Sequence, residues 1–166
     1  MTTSELHRLL NRMVKEIGII TVDQDFLDYR AEAVINFDDY GRDEHTKQLH
    51  CDCLLLEYTQ IKLGLVEETD HIASDYKFRD VLIDNKVILG PYWNISQNKY
   101  IWHRNCLQED LLDYFAFFRF DQQANKPLEL GDQVSFKLIE VLEAQEALDM
   151  TSRSNYNGRY LPIPKN

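Results

Sequence analysis

The spacing of apolar residues changes about two fifths of the way along the chain. In the first part they recur at helical intervals. Beyond it they gather into short β-branched and aromatic runs parted by polar residues. Leu6, Leu9, Leu10, Met13, Val14 and Ile17 form one helical stripe, opened by a capping box of Thr2 with Glu5 and closed by Gly18. "QDFLDYRAEAVINF" sets Phe26, Tyr29, Ala33, Val34 and Phe37 on one face and predicts a second helix. After the charged loop "DDYGRDEHT", the segment "KQLHCDCLLLEYTQIKLGL" is apolar on most sides and ends at Gly64, which predicts one buried helix.

The later runs, "YKF", "VLI", "KVIL", "KYIWH", "DYFAFFRF" and "VSFKLIEVL", carry strand signals. "EAQEAL" reads as a helical turn, and "SRSNYNGRYLPIPK" as a polar segment ending in an extended, Pro-punctuated tail. Neither an internal repeat nor a low-complexity tract interrupts the pattern. Helices first and then a largely antiparallel sheet predict an α+β fold. The chain reads as a single domain over 1–166, with a helical part at 1–45, a core at 46–148 and a polar tail at 149–166.

Length and composition agree with that organisation. A chain of 166 residues can bury a core of its own, and 44% hydrophobic with 28% charged residues is ordinary for a soluble globular protein. No apolar run approaches the roughly 20 residues that span a bilayer, so no membrane association is expected. "MTTSELHRLL" lacks a basic region followed by an apolar block, so no signal peptide is expected. Three cysteines, Cys51, Cys53 and Cys106, are an odd number and point to reduced thiols in a cytoplasmic setting. The "NIS" at 94–96 matters only in the secretory route and is discounted.

The net charge of -10 alters the functional expectation, because nucleic-acid surfaces are normally basic. Three arrangements remain open to an acidic chain: a local basic patch, carboxylates gathered to hold a metal, or a protein partner in place of nucleic acid.

Candidate chemistry centres on "DVLIDNKVIL", residues 80–89. Before it lies a buried helix with an inward Glu57, ending in "LGL", and after it come the aromatic strands. A strand pair bearing carboxylates and an Asp-x-Lys, set between those elements, resembles the PD-(D/E)XK nuclease superfamily in the compact form common among phage, restriction and homing enzymes. The resemblance covers roughly residues 48–163, and its motifs are short. It implies a restriction-endonuclease-like core, Mg²⁺- or Mn²⁺-dependent hydrolysis of DNA phosphodiesters, and a homo-oligomer, since one site cuts one strand. Asp75 and Asp84 would be metal ligands, Glu57 a third acid orienting the metal or its water, and Lys86 the cation assisting the nucleophile. The residue types suit that chemistry. Mg²⁺ takes hard oxygen ligands and lowers the pKa of an attacking water, and a lysine stabilises the charge that develops.

Two strand registers compete. If "DYKF" pairs with "VLID" around Arg79-Asp80, Phe78 opposes Val81 and Asp75 opposes Asp84, with Cβ atoms about 5 Å apart. Alternation then puts Asp84 and Lys86 on one face and Asn85 on the other. Asp80 could not replace Asp75 there, because four residues along a strand separate it from Asp84 by about 13 Å. If the chain instead turns at Asp84-Asn85, Asp80 becomes the alternative acid, while Leu89 and Pro91 stand where an acid and a lysine are needed. That register implies a catalytically inactive nuclease-fold scaffold binding a partner protein through its acidic surface. Turn chemistry favours the second register, and the clustering of acids with a lysine favours the first.

Other residues have plainer readings. His45, His50, Cys51 and Cys53 lie close in sequence, but a Cys-x-Cys on a helix points its thiols about 200° apart and fits no common zinc spacing. Cys51 and Cys53 read as core residues. Trp93, Trp102, Tyr114, Phe115, Phe117 and Phe118 read as core, with a place beside a substrate groove as the alternative for Trp93. His103 and Arg104 are candidates for contact with a DNA backbone, although a polar strand end accounts for them as well. Arg153, Arg159 and Lys165, opposed in that segment only by Asp149, are further candidates, with a solvated tail as the alternative.

Overall fold

In a computed structural model the described residues are 1–36, 43–69, 75–88, 99–103, 107, 112–120, 126–154 and 158–164. Helix α1, Thr3–Ile17, begins with the expected capping box. Thr2 Oγ1 accepts from the Glu5 amide, and Glu5 Oε2 accepts from the Thr2 amide, each at 3.1 Å. Gly18 follows with φ 63°, and Leu6, Leu10, Met13 and Val14 are buried. Helix α2, Gln24–Ile35, is capped by Asp23, whose carboxylate accepts from the Phe26 amide at 2.9 Å.

The single helix expected over "KQLHCDCLLLEYTQIKLGL" is broken. Helix α3, Glu44–Cys51, passes through a 3₁₀ turn, Asp52–Leu54, into α4, Leu55–Lys62. A tertiary contact accompanies the break. The Asp52 carboxylate, 1% exposed, bonds Arg30 Nη1 at 2.8 Å and the Leu128 amide at 2.9 Å. The redirected chain buries Leu55 and Leu56.

Eight strands are described: β1 Ile20–Thr21, β2 Tyr76–Phe78, β3 Val81–Ile88, β4 Lys99–His103, β5 Tyr114–Phe120, β6 Gln133–Val134, β7 Phe136–Glu143 and β8 Tyr160–Pro164. A central mixed sheet runs in the order β2-β3-β5-β7, in which β3 and β5 are parallel and the other neighbours antiparallel. Two small antiparallel pairs, β1-β6 and β4-β8, complete an α+β architecture. "VLI" and "KVIL" prove to be one strand, which answers the register question. Tyr76 opposes Ile83, Lys77 opposes Leu82 and Phe78 opposes Val81, so the turn falls at Arg79-Asp80, with φ of 48° and 71°. The alternative turn at Asp84-Asn85 is thereby corrected, since both residues lie in the middle of β3.

Strand β5 is buried on both faces, as expected for a strand with a parallel neighbour and layers on either side. Tyr114, Ala116, Phe118 and Phe120 enter one core with α1, α2 and α4, whereas Phe115 and Phe117 enter a second. A register shift opposite Phe117/Phe118 leaves Ile139 as an extra residue in β7. Leu138 and Val141 consequently both face the first core, despite a spacing that strict alternation would send to opposite faces.

Both ends of the chain contribute to the cores. The helical part at 1–45 shares the sheet's core, because Leu6, Leu10 and Met13 of α1 cluster with Leu138 and Val141 of β7, and β1 pairs with β6. The tail at 149–166 is not simply solvated. "EAQEAL" opens helix α5, Ala144–Ser152, and β8 follows with Leu161 and Ile163 buried in the second core. Pairing with β4 is what draws this segment inward. Among the described residues, no helix is long and apolar enough to cross a membrane.

Candidate active site

The Arg79-Asp80 turn decides what stands beside Asp84. It returns the chain so that Asp75, immediately before β2, reaches β3, where Asp75 Oδ2 accepts from the Asn85 amide at 2.7 Å. Asp84 is buried, at 5% exposure, on the face that carries the second core. Lys86 shares that face, its Nζ 5.7 Å from the centre of the Phe115 ring. Glu57, buried in the first turn of α4, joins them, because the Asp75 carboxyl is within hydrogen-bonding reach of both Glu57 and Asp84. Glu57, Asp75, Asp84 and Lys86 are thus brought together from a helix and two strands.

Their electrostatics follow from crowding and burial. Lys86 Nζ lies 2.8 Å from Asp84 Oδ2. This is a short, largely buried ion pair. One ammonium cannot balance three ionised carboxyls. Burial, opposed by hydrogen bonding from Asp75 and reinforced by the charge of Asp84, pushes Glu57 up to about 7. Burial first, and then Glu57 and Asp84, hold Asp75 well above the ordinary carboxylate range, although part of that residue's surface is exposed. The carboxyl itself is turned toward the other acids.

The donor set fits Mg²⁺ or Mn²⁺ in chemical type. It offers hard carboxylate oxygens, one of them a buried Asp84 oxygen whose neighbour among the described residues is the Lys86 ammonium. Among the described residues, no three His, Cys, Asp or Glu side chains stand in a ready-made metal-holding arrangement. Lys86 is the cation closest to Asp84 Oδ2 instead.

The raised carboxyl values have a consequence for stability in metal-free solution. Glu57 binds its proton more tightly folded than unfolded, so its contribution is complete below about 4.5 and is lost as pH rises through about 7. At about 1.4 kcal/mol per unit of pKa, raising the pH from 5 to 8 should cost on the order of 2 kcal/mol from this residue. Urea midpoints in a chelator should fall over that interval for the parent and much less for Glu57→Gln. Parallel curves for the two proteins would show that Glu57 ionises normally.

The other sequence candidates are scattered. Asp80 sits at the turn, its side chain 97% exposed, and pairs loosely with Lys77 at 3.9 Å. Arg153, at the end of α5, and Arg159, before β8, are exposed. His103 ends β4, while Arg104, Lys165, Trp93 and Cys106 lie outside the described residues. Cys51 is buried, with its thiol raised by desolvation, and Cys53 packs against the first core. Trp102 and the named residues of β5 are core, as expected.

Three polar residues next to the cluster have no functional role assigned from the sequence, although Asn85 is expected on the face away from Asp84 and Lys86. Gln60 of α4, Tyr76 of β2 and Asn85 of β3 are hydrogen-bonded to one another, with Tyr76 and Asn85 directed to the first core, away from the face of β3 that carries Asp84 and Lys86. A signal for Gln60 was present, since it follows Glu57 by three residues and so lies on nearly the same side of the helix. Placing Tyr76 and Asn85 beside it required the hairpin register. No protein-family model, curated protein or solved structure matches this chain.

Proposed function

We propose that this protein is a Mg²⁺- or Mn²⁺-dependent endonuclease of PD-(D/E)XK type acting on DNA. The observation that carries the reading is the Arg79-Asp80 turn, which brings Asp75 beside Asp84 with Glu57 and Lys86 adjoining. Asp75 and Asp84, with Glu57, would hold the divalent ion. When bound, it would neutralise phosphate charge and lower the pKa of an attacking water.

The chain's own groups supply the rest of the chemistry. Glu57, in the first turn of α4 beside the Asp75 carboxyl, orients a water and accepts its proton at a carboxylate oxygen. Lys86 moves its ammonium from Asp84 toward the phosphate as negative charge accumulates there. Asp75, fixed by the Asn85 amide, keeps one carboxylate oxygen aimed at the cluster. The exposed Arg153 and Arg159 are the candidates for contact with the DNA backbone, and cutting both strands calls for a homodimer.

The net charge of -10 favours a second reading, a nuclease-like scaffold that binds a basic protein partner. Two experiments separate these readings. Purified protein with Mg²⁺ or Mn²⁺ is incubated with supercoiled plasmid and with short duplexes, and nicking is expected. Calorimetry should show Mn²⁺ binding to the parent and none to a folded Asp84→Ala variant. Equal affinity in the two would remove Asp84 from the site. No cleavage of any substrate would sink the nuclease reading and leave the scaffold.

A further inference from the structure

Gln60, Tyr76 and Asn85 each belong to a segment that also carries a member of the acid cluster. Gln60 lies one helical turn after Glu57 on α4, Tyr76 directly follows Asp75, and Asn85 stands between Asp84 and Lys86. Their side chains close a ring. Tyr76 Oη donates to Asn85 Oδ1 at 2.8 Å, Asn85 Nδ2 donates to Gln60 Oε1 at 2.9 Å, and Gln60 Nε2 approaches Tyr76 Oη at 3.4 Å. Gln60 Nε2 also approaches Met13 Sδ at 3.3 Å, which ties the ring to α1. Gln60 and Tyr76 are both 0% exposed.

A buried amide and a buried phenol need partners, and among the described residues they find them in the other members of this ring and in Met13. A shift of α4, β2 or β3 relative to the other two breaks at least one bond inside the protein. The main-chain amide of Asn85 meanwhile points the other way, to Asp75 Oδ2 at 2.7 Å. One residue therefore joins the ring on one side to an acid of the cluster on the other.

We propose that Gln60, Tyr76 and Asn85 are positioning residues, whose closed hydrogen-bond ring sets the spacing of Glu57, Asp75 and Asp84 and holds the Asn85 amide on Asp75. The inference rests on the divalent-metal reading of that cluster. Groups behind metal ligands typically change affinity by about 10–100-fold when removed, because ligands that must be reordered bind more weakly.

The test uses the full chain and two readouts, Mn²⁺ affinity by calorimetry and hydrogen exchange at the Asn85 amide. Tyr76→Phe deletes one hydroxyl and Asn85→Ala deletes the central side chain. Val134→Ala, a core truncation in β6, serves as a control, compared at urea concentrations that equalise stability. Both ring variants should weaken Mn²⁺ binding by about 10–100-fold and speed exchange at residue 85, and Val134→Ala should do neither. Unchanged affinity and exchange in the ring variants, or an equal loss of affinity in Val134→Ala, would overturn the proposal. Failure of the parent to bind Mn²⁺ would instead count against the nuclease reading. The exchange arm would still decide whether the ring clamps Asp75: faster exchange in the ring variants supports the clamp, and unchanged exchange removes it.

Discussion

If the protein is the proposed nuclease, Lys86→Ala is expected to lower Mg²⁺-dependent DNA cleavage by about 10²–10³, the usual cost of losing one preorganised electrostatic contact to a transition state. It should also destabilise the metal-free protein, because Asp84, with its side chain 8% exposed, loses the ammonium 2.8 Å away. Removing one partner of a buried pair costs about 3–5 kcal/mol, and the 17% exposure of the Lys86 side chain places this pair toward the lower end. Mg²⁺ should restore part of that stability, since either cation can compensate Asp84. Plasmid nicking together with urea unfolding, with and without Mg²⁺, gives both numbers. Lys86→Arg keeps the charge and should lose less of each. An unchanged cleavage rate in a folded Lys86→Ala protein would remove the lysine from the chemistry.

Arg30→Ala should produce the largest loss of stability away from the acid cluster. Arg30 Nη1 bonds both Asp52 Oδ1 and the Leu128 carbonyl at 2.8 Å, while Asp52 Oδ2 accepts from the Leu128 amide at 2.9 Å. Without the guanidinium, Asp52 is a buried carboxylate with a single backbone donor, at a cost of about 3–5 kcal/mol near neutral pH. Burial already raises the Asp52 pKa in spite of Arg30. With the arginine gone it rises further, so the variant should regain stability relative to the parent as pH falls toward 5. Urea unfolding at pH 5 and pH 8 measures this. A loss under about 1 kcal/mol, independent of pH, would mean that water reaches and solvates Asp52. The contact holds the 3₁₀ turn from which α4 departs, so the variant bears indirectly on where Glu57 points.

Local signals were read correctly where the deciding interactions are local. The α1 boundaries follow from Thr2, Glu5 and Gly18, whose bonds close within a few residues. The strands of the second half follow from β-branched and aromatic runs with nowhere to go but a buried sheet. The acids of the site and Lys86 were legible as residue types, because few arrangements make use of three carboxyls with a lysine between strands.

The sequence by itself therefore determined an α+β chain with a capped first helix, an aromatic central strand and a set of acids near one lysine. Tertiary structure decided which acids meet. Asp84-Asn85 is the better hairpin turn on local grounds, whereas Arg79 and Asp80 must both adopt positive φ, each costing roughly 1–2 kcal/mol. That cost is outweighed because the later turn would break β3 in two. An unbroken Val81–Ile88 pairs with β2 on one side and, over six residues, with β5 on the other, and it buries Ile83 and Ile88 in separate cores. The break before α4 and the inward course of β8 have the same origin. Asp52 meets Leu128 and β8 meets β4, partners too distant in sequence for any local pattern to announce them.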